Sequence, residues 1–574
     1  MTTPSPATSG IDAAQRIARG YDTAATSVVL GSVVIDGNAD PAALVRIPLA
    51  MFNRHGLVAG ATGTGKTKTL QVIAEQLSAA GVPVLIPDVK GDLTGLFAPG
   101  EPGDRITQRA AETGDDWSAA SFPVEFLSLA GQGTAVPIRA AIDSFGPILL
   151  SKVLGLNDTQ ESTLGLIFHW ADERTLPLLD LKDLRAVIMH LTSDEGKADL
   201  RELGGVSKAT AGVILRAVTN LHAQGGDRFF GEPELAVADL LRVTADGHGV
   251  ITLFEVAELQ TNPVLFSTFL MWLLAELFEE LPEVGDLDKP KLVFLFDEAH
   301  LLFADASKAF LQAVQQTVKL IRSKGVGVFF CTQLPTDVPG PVLSQLGARI
   351  QHALRAFTPD DQKALASTVK TYPISADYQL SSALTSLGTG EAIVTVLSEK
   401  GAPTPVAWTR VRAPRSLMAP APAGVITAAV ASSALMAKYG QDVDRQSAYE
   451  MLTARVAPAA APGAAPVTIP TVPAGTMPAG TVASPAPSVG VDGWPSLTPE
   501  PYNPYLDQAS PAPSGSAPRS RSRPTGSRPP ADAPSGGLGE VLNNPVVTSF
   551  MKSLGTSLGG ALGRSVFGTR KRRR

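Results

Sequence analysis

GLVAGATGTGKTKTLQ, residues 56–71, decides how the rest of this chain is read. Within it Gly60, Ala61, Thr62, Gly63, Thr64, Gly65, Lys66 and Thr67 fit the phosphate-binding pattern GxxxxGK[ST] without a mismatch. The four residues before the loop, 56–59, are apolar and read as a short buried strand. The residues after it, 68–80, carry Leu70, Ile73, Ala74 and Leu77 at helical spacing. A strand, a glycine-rich loop and a helix in that order point successive backbone N–H groups and the positive end of the helix at one place, which suits a polyphosphate. Glycine is required because a Cβ would block both the positive φ angles and the close approach of the backbone. In this reading Lys66 reaches the β- and γ-phosphates, the Thr67 hydroxyl ligates Mg²⁺, and Lys68 opens the helix beside the bound nucleotide.

Outward from the loop, the next apolar run, 82–87, ends in Asp88-Val89-Lys90-Gly91-Asp92. Charged residues at the carboxyl end of a strand in an open α/β sheet sit where ligands bind, so Asp88 is a candidate for organising Mg²⁺ or the attacking water; a turn or helix-capping aspartate is the plain alternative. Residues 124–129 and 250–256 read as further strands. In KLVFLFDEAH, residues 291–300, an apolar run delivers Asp297 and Glu298 to the same edge. Asp297 would hold the Mg²⁺ shell and Glu298 would polarise the attacking water as a general base. The strand 326–331 ends in Thr332 and Gln333, and Gln333 is placed to hydrogen-bond the γ-phosphate as a sensor. Arg322, Arg349 and Arg355 lie in the part of the chain from which a ring ATPase supplies a cation to a neighbouring site. The set Lys66, Glu298, Gln333, Arg322, Arg349 and Arg355 is therefore the candidate catalytic group. Asn53, Arg54 and His55 precede the first core strand, and His55 is a lesser candidate for touching nucleotide.

The whole is expected to be an α/β protein: a P-loop NTPase core with a mostly parallel central sheet and a helical insertion. The chain divides into an N-terminal segment with a small β element (1–50), the first part of the ATPase core (51–141), the helical insertion (142–245), the second part of the core (246–413), a helical extension (414–455), a disordered Pro/Ala/Ser-rich linker (456–537) and an amphipathic helix with a basic tail (538–574). In the first segment, strands at 27–35 and 43–49 flank a turn-rich DGNADP. In the insertion, 144–156, 158–173, 180–192 and 207–223 have helical spacing, and His169, His190 and His222 are isolated. Helices are expected at 307–322, 359–369 and 375–387, and closing strands at 389–397 and 404–411. The linker cannot bury enough apolar surface to offset the entropy of ordering.

Composition narrows the function. The chain carries 48 Lys and Arg against 54 Asp and Glu, net −6. Residues 456–574 hold 11 basic against 5 acidic, so a body of net −12 precedes a tail of net +6. An acidic body argues against a surface that coats nucleic acid uniformly, though not against a local basic channel. The single cysteine, Cys331, permits no disulfide within the chain, which fits a reducing compartment, and it reads as a small core residue. The most apolar stretch, 264–278, is shorter than the roughly 20 residues of a membrane span and includes Ser267, Thr268 and Glu276. A cytoplasmic protein with no transmembrane segment is expected. The terminal helix, with its Arg570–Arg574 basic end, is a candidate for docking on a protein partner, an anionic membrane or nucleic acid.

NRHGLVAGATGTGKTKTLQ, DVKGDLTGL, FLFDEAHLLF, CTQLPTDVP and LGARIQHALRAFTPDDQKAL together resemble the bacterial HerA-like helicase/ATPase family, of the HerA/FtsK type and within it the YjgR group, over about residues 26–454. The resemblance implies a RecA-like core in a homohexameric ring that binds ATP at subunit interfaces, uses Mg²⁺ and translocates DNA. It also implies that Lys66 and Thr67 match the first nucleotide motif, Asp297 and Glu298 the second, and Gln333 the sensor. HerA proteins proper carry a larger N-terminal β-barrel than the short region here. A nucleotide-switched scaffold and a membrane-associated secretion or conjugation ATPase are the rival readings. A small-molecule kinase fits less well, because no separate acceptor site is evident.

Overall fold

Short apolar runs that bury on both faces build the centre of the molecule, as a parallel sheet covered by helices requires. The computed structural model describes residues 10–129, 133–196, 198–199, 207–255, 263–303 and 308–456. The strands are β1 (Ser27–Ile35), β2 (Asn38–Pro48), β3 (Gly56–Ala59), β4 (Val84–Asp88), β5 (Val124–Leu129), β6 (Val136–Ile138), β7 (Ile251–Glu255), β8 (Leu292–Phe296), β9 (Val326–Thr332), β10 (Ala348–Gln351), β11 (Glu391–Thr395) and β12 (Ala407–Val411). They form one sheet in the order β2-β1-β12-β11-β10-β3-β9-β8-β4-β7-β5-β6. From β10 to β6 every neighbouring pair is parallel. From β10 through β11, β12 and β1 to β2 every pair is antiparallel. Every residue of β3, β4, β8 and β9 is buried. The fold is α/β, with a mostly parallel RecA-like core.

The N-terminal β element extends this sheet, because β1 pairs with β12. The segment read as a turn-rich DGNADP is mostly strand. Only Asp36 and Gly37 turn, with φ of +50° and +80°, the two-residue geometry whose twist matches that of the flanking strands. Among the described residues between β6 and β7, helices span Ile142–Val153, Asp158–Glu173, Leu181–Thr192 and Lys208–Ala223, the second and third opened by reciprocal caps from Asn157 with Gln160 and Asp180 with Asp183. The apolar helix Pro263–Glu280 buries Leu270, Trp272, Leu273, Leu274 and Leu277 in the same core. Among the described residues no helix is long and apolar enough to cross a membrane.

One further element was not read from the sequence: the arginine-bearing stretch around 349 contains β10, which lies directly beside β3. The extension after β12 carries three short helices, Ala423–Ala431, Ala434–Tyr439 and Ala448–Val456. The last of these joins the helical region: buried Asp183 accepts the Ser447 hydroxyl and the Tyr449 N–H. The Pro/Ala linker and the basic terminal helix lie outside the described residues.

Candidate nucleotide site

The loop 60–67 is spliced between the carboxyl ends of β9 and β10. The Gly60 N–H donates to the Thr332 and Gln333 carbonyls at 3.2 Å, and the Ala61 N–H to the Ala353 carbonyl at 2.9 Å. Gly60 has a φ of +152°, and a Cβ there would stand 2.5 Å from the His352 Cβ, so both conformation and space demand glycine. Gly63 and Gly65 also take positive φ, +78° and +113°. The loop then runs into the helix Lys66–Ala79. Thr67 stands in its first turn, and Thr62 and Gly63 are exposed at the crest of the loop. Lys66 Nζ donates to the Gly60 carbonyl at 2.7 Å and the Ala61 carbonyl at 3.2 Å. Thr64 Oγ1 donates to the Ala61 carbonyl at 2.7 Å, and the Thr64 carbonyl accepts the Gly390 N–H at 2.9 Å.

His352 braces this loop from beneath. It is fully buried; Nδ1 lies 2.8 Å from the Glu391 carbonyl and Nε2 2.9 Å from Thr69 Oγ1. A carbonyl only accepts, so Nδ1 carries the proton and Nε2 accepts from the Thr69 hydroxyl. Burial, with the Lys66 charge nearby, pushes the imidazole down to about 4, which keeps it neutral.

β9 separates β3 from β8, and the register aligns their carboxyl ends: Ala59 with Thr332, Phe296 with Phe330. Asp297 and Glu298 therefore emerge on the edge that carries the loop. Asp297 is buried; its carboxyl is pushed up by burial and by Glu298, while the Cys331 thiol and the Glu298 N–H, at 2.9 Å from Oδ1, hydrogen-bond to it. Cys331 itself is wholly buried and its thiol is raised well above the ordinary range, which makes it a core residue. Glu298 has a φ of +49°, an uncommon backbone conformation for a residue with a side chain. Its Oε1 lies 2.5 Å from Lys90 Nζ and its Oε2 3.3 Å from His300 Nδ1.

Asp88 closes β4 beside them. Its oxygens accept the N–H groups of Gly91 at 2.8 Å and Leu93 at 3.0 Å, and burial with the Asp297 charge raises it to about 6. Both oxygens are thus engaged in fixing the 88–93 turn, the plainer of the two roles the sequence offered.

The remaining predicted residues are placed as follows. Gln333 is exposed at the end of β9, its carbonyl on the loop. Lys68 turns away from the loop crest, its ammonium donating to the Met418 carbonyl at 2.6 Å and to Gln71 at 3.1 Å. Arg355 is exposed and reaches the loop, with Nη2 3.4 Å from the Thr62 carbonyl. Arg349 lies within β10 and donates to the Leu343 carbonyl at 3.1 Å. Arg322 pairs with Asp286 at 3.5 Å beside Arg54, at the amino end of β3, away from the loop. His55 is at that same end. It is buried, accepts the Val328 N–H at Nδ1, and is pushed down to about 4 by burial, so it is a core residue remote from the loop crest.

Three features of the site were not legible as such. His352 has no motif around it. Lys90 lies in a charged turn and gives no sign of its partner across the sheet. The third is a strap, residues 414–421, laid along the loop helix. Glu75, buried in that helix, accepts the N–H groups of Arg415 and Ser416 at 2.9 Å each and the Ser416 hydroxyl. Gln71 donates to the Ser416 hydroxyl at 2.6 Å and to the Leu417 carbonyl at 2.9 Å.

The arrangement offers the backbone N–H groups of a glycine-rich loop, a lysine, a helix-start threonine and a buried acidic pair within one sheet edge. Thr67 and Asp297 are hard oxygen donors of the kind Mg²⁺ takes.

Among solved structures, the chain is similar to the bacterial conjugative coupling protein TrwBdeltaN70 in its unbound form, at 15% identity and a TM-score of 0.45, over 71% of this chain and 93% of that one. It is also similar to the plasmid coupling protein TrwB in complex with ADP and Mg²⁺, at 16% identity and 0.45, over 70% and 94%. VirB4 of Thermoanaerobacter pseudethanolicus follows at 15% identity and 0.43, over 69% and 98%. No curated protein matches the sequence. The family model described as helicase HerA-like C-terminal matches residues 35–481, more than three quarters of the chain, and the chain belongs to that family.

Proposed function

We propose that this chain is an Mg²⁺-dependent ATPase that works as a homohexameric ring in the cytoplasm and moves DNA. The observation that carries the reading is the meeting of two elements far apart in sequence: the loop 60–67 and the pair Asp297–Glu298 open at one edge of one parallel sheet. Lys66 is assigned to the β- and γ-phosphates, and the N–H groups of Gly63, Gly65, Lys66 and Thr67 to the oxygens between them. Mg²⁺, when bound with the nucleotide, supplies charge neutralisation at the phosphates; Thr67 and Asp297 would hold it. Glu298 takes the proton of the attacking water, and Gln333, exposed on the strand between the loop and the acidic pair, reads the γ-phosphate. Of the three predicted arginines, Arg355 is the one whose guanidinium stands at its own loop. Ring assembly and a DNA track rest on membership of the HerA-like family.

Steady-state ATP turnover by the purified chain, with and without Mg²⁺, tests the reading. Turnover that needs Mg²⁺ and disappears in Lys66→Ala, with weakened ATP binding, is expected. Full turnover in Lys66→Ala would place the chemistry elsewhere. Negligible turnover by an ATP-binding wild type, with ATP-dependent changes in assembly, would favour a nucleotide-switched scaffold.

A further inference from the structure

The geometry points to Lys90 as a positioning residue that restrains Glu298 and holds down hydrolysis, an inference that rests on the reading of Glu298 as the base. The two residues are 208 positions apart and meet because β4 and β8 are neighbours in the sheet. Lys90 Nζ stands 2.5 Å from Glu298 Oε1. That contact takes up one carboxylate oxygen, and His300 Nδ1 stands 3.3 Å from the other. A general base needs a free lone pair directed at the water it activates.

The two partners are unequally free. The Glu298 side chain is 10% exposed and the Lys90 side chain 48%. The carboxylate has nowhere to go, whereas the ammonium can swing into solvent. The turn that carries Lys90 is fixed at its base by Asp88, which accepts the Gly91 and Leu93 N–H groups. At Gly91, φ is +74° and a Cβ would meet nothing within 4 Å, so the crest of the turn is open. Glu298 in turn is presented from a backbone φ of +49° and tied by its N–H to Asp297. A fixed turn with an open crest therefore places a mobile cation on a fixed base. Lys90 touches Glu298 rather than the loop 60–67, so its removal should change the rate and leave nucleotide affinity alone.

The test is nucleic-acid-free ATP turnover by the full chain and by Lys90→Ala, Lys90→Arg, Glu298→Gln and the double variant Lys90→Ala/Glu298→Gln. Lys90→Ala is expected to raise kcat by about five-fold, with KM for ATP within about two-fold of wild type. Lys90→Arg retains a cation on the carboxylate and should stay near the wild-type rate. The double variant should fall to the Glu298→Gln rate, because the gain runs through Glu298. Lys90→Gln, which keeps length and polarity, serves if alanine disturbs the turn. A lower or unchanged kcat in both neutral variants, with Glu298→Gln slow, overturns the restraint and leaves the ATPase reading standing. Wild-type turnover in Glu298→Gln overturns both, as does the absence of turnover in wild type and Lys90→Ala alike.

Discussion

Gly60 shows how closely the loop is fitted at the level of single residues. It pairs a φ of +152° with a backbone packed against the His352 side chain. Gly60→Ala should cost about 1–3 kcal/mol through backbone strain alone and weaken ATP binding with it; thermal unfolding and nucleotide titration read the two effects. Loop conformation unchanged and affinity intact in that variant would mean that the His352 contact is slack. Glu298→Gln should bind ATP as wild type does but turn it over at least about 10²-fold more slowly, the usual contribution of a positioned base. That the loop 60–67 and the pair Asp297–Glu298 reach one sheet edge was legible in the sequence, because the loop fits a constrained eight-residue pattern and the pair closes an apolar strand. His352 was not legible, since its two partners, Thr69 and Glu391, are brought to it by the sheet rather than by any local spacing. Lys90 stands in a charged turn, and its partner Glu298 follows the end of a different strand, β8.

At the scale of elements, the strap over the loop helix carries a specific stability prediction. Glu75→Ala strips the acceptor from two backbone N–H groups and a hydroxyl, and should cost about 2–4 kcal/mol. A fall in the denaturation midpoint checks it; an unchanged midpoint would mean that the strap is held by its other contacts, among them the close packing at Gly95, where a Cβ would lie 2.1 Å from the Leu417 carbonyl. The long apolar helix carries a pH prediction. Burial, followed by the charges of Glu234, Glu279 and Glu280, raises Glu276 to about 8. The folded state therefore binds the proton more tightly than the unfolded chain. That contribution is fully present below the ordinary glutamate range and is lost as pH rises through about 8. Glu276→Gln should match wild type near pH 5 and exceed it by about 2–5 °C in midpoint near pH 8.5. A constant gap at both pH values would contradict the assignment. Strands made of unbroken apolar runs, such as β8 and β9, were plain in the sequence. β10 was not, because Arg349 and Gln351 interrupt its apolar residues even though Gln351 is wholly buried. The β1–β2 hairpin was read with too long a turn, since Asn38 to Pro41 is polar or turn-prone in isolation, yet Asn38 and Ala39 pair with Ile35 and Val34 and β2 runs on through Asp40 and Pro41.

For the whole molecule, one sheet joins a parallel nucleotide-binding part to an antiparallel flank built from both ends of the core, β1 and β2 with β11 and β12. The parallel part was anticipated because a strand, a glycine-rich loop, a helix and further apolar strands ending in acidic residues succeed one another along the chain. The joining of the N-terminal hairpin to β12 was not, since nothing local specifies a pairing across more than 370 residues. The charge distribution bears on the proposed track. The chain carries net −6 while residues 456–574 hold 11 basic against 5 acidic groups, so attraction to nucleic acid must come from a restricted surface rather than from the body as a whole. The most direct measurement is ATP turnover by the full chain with double-stranded DNA, single-stranded DNA or RNA at two salt concentrations. A DNA-driven motor predicts that DNA raises the rate and that the stimulation shrinks as salt rises, as counterion release demands. A rate that is Mg²⁺-dependent yet indifferent to all three polymers at both salts would contradict the DNA-motor account.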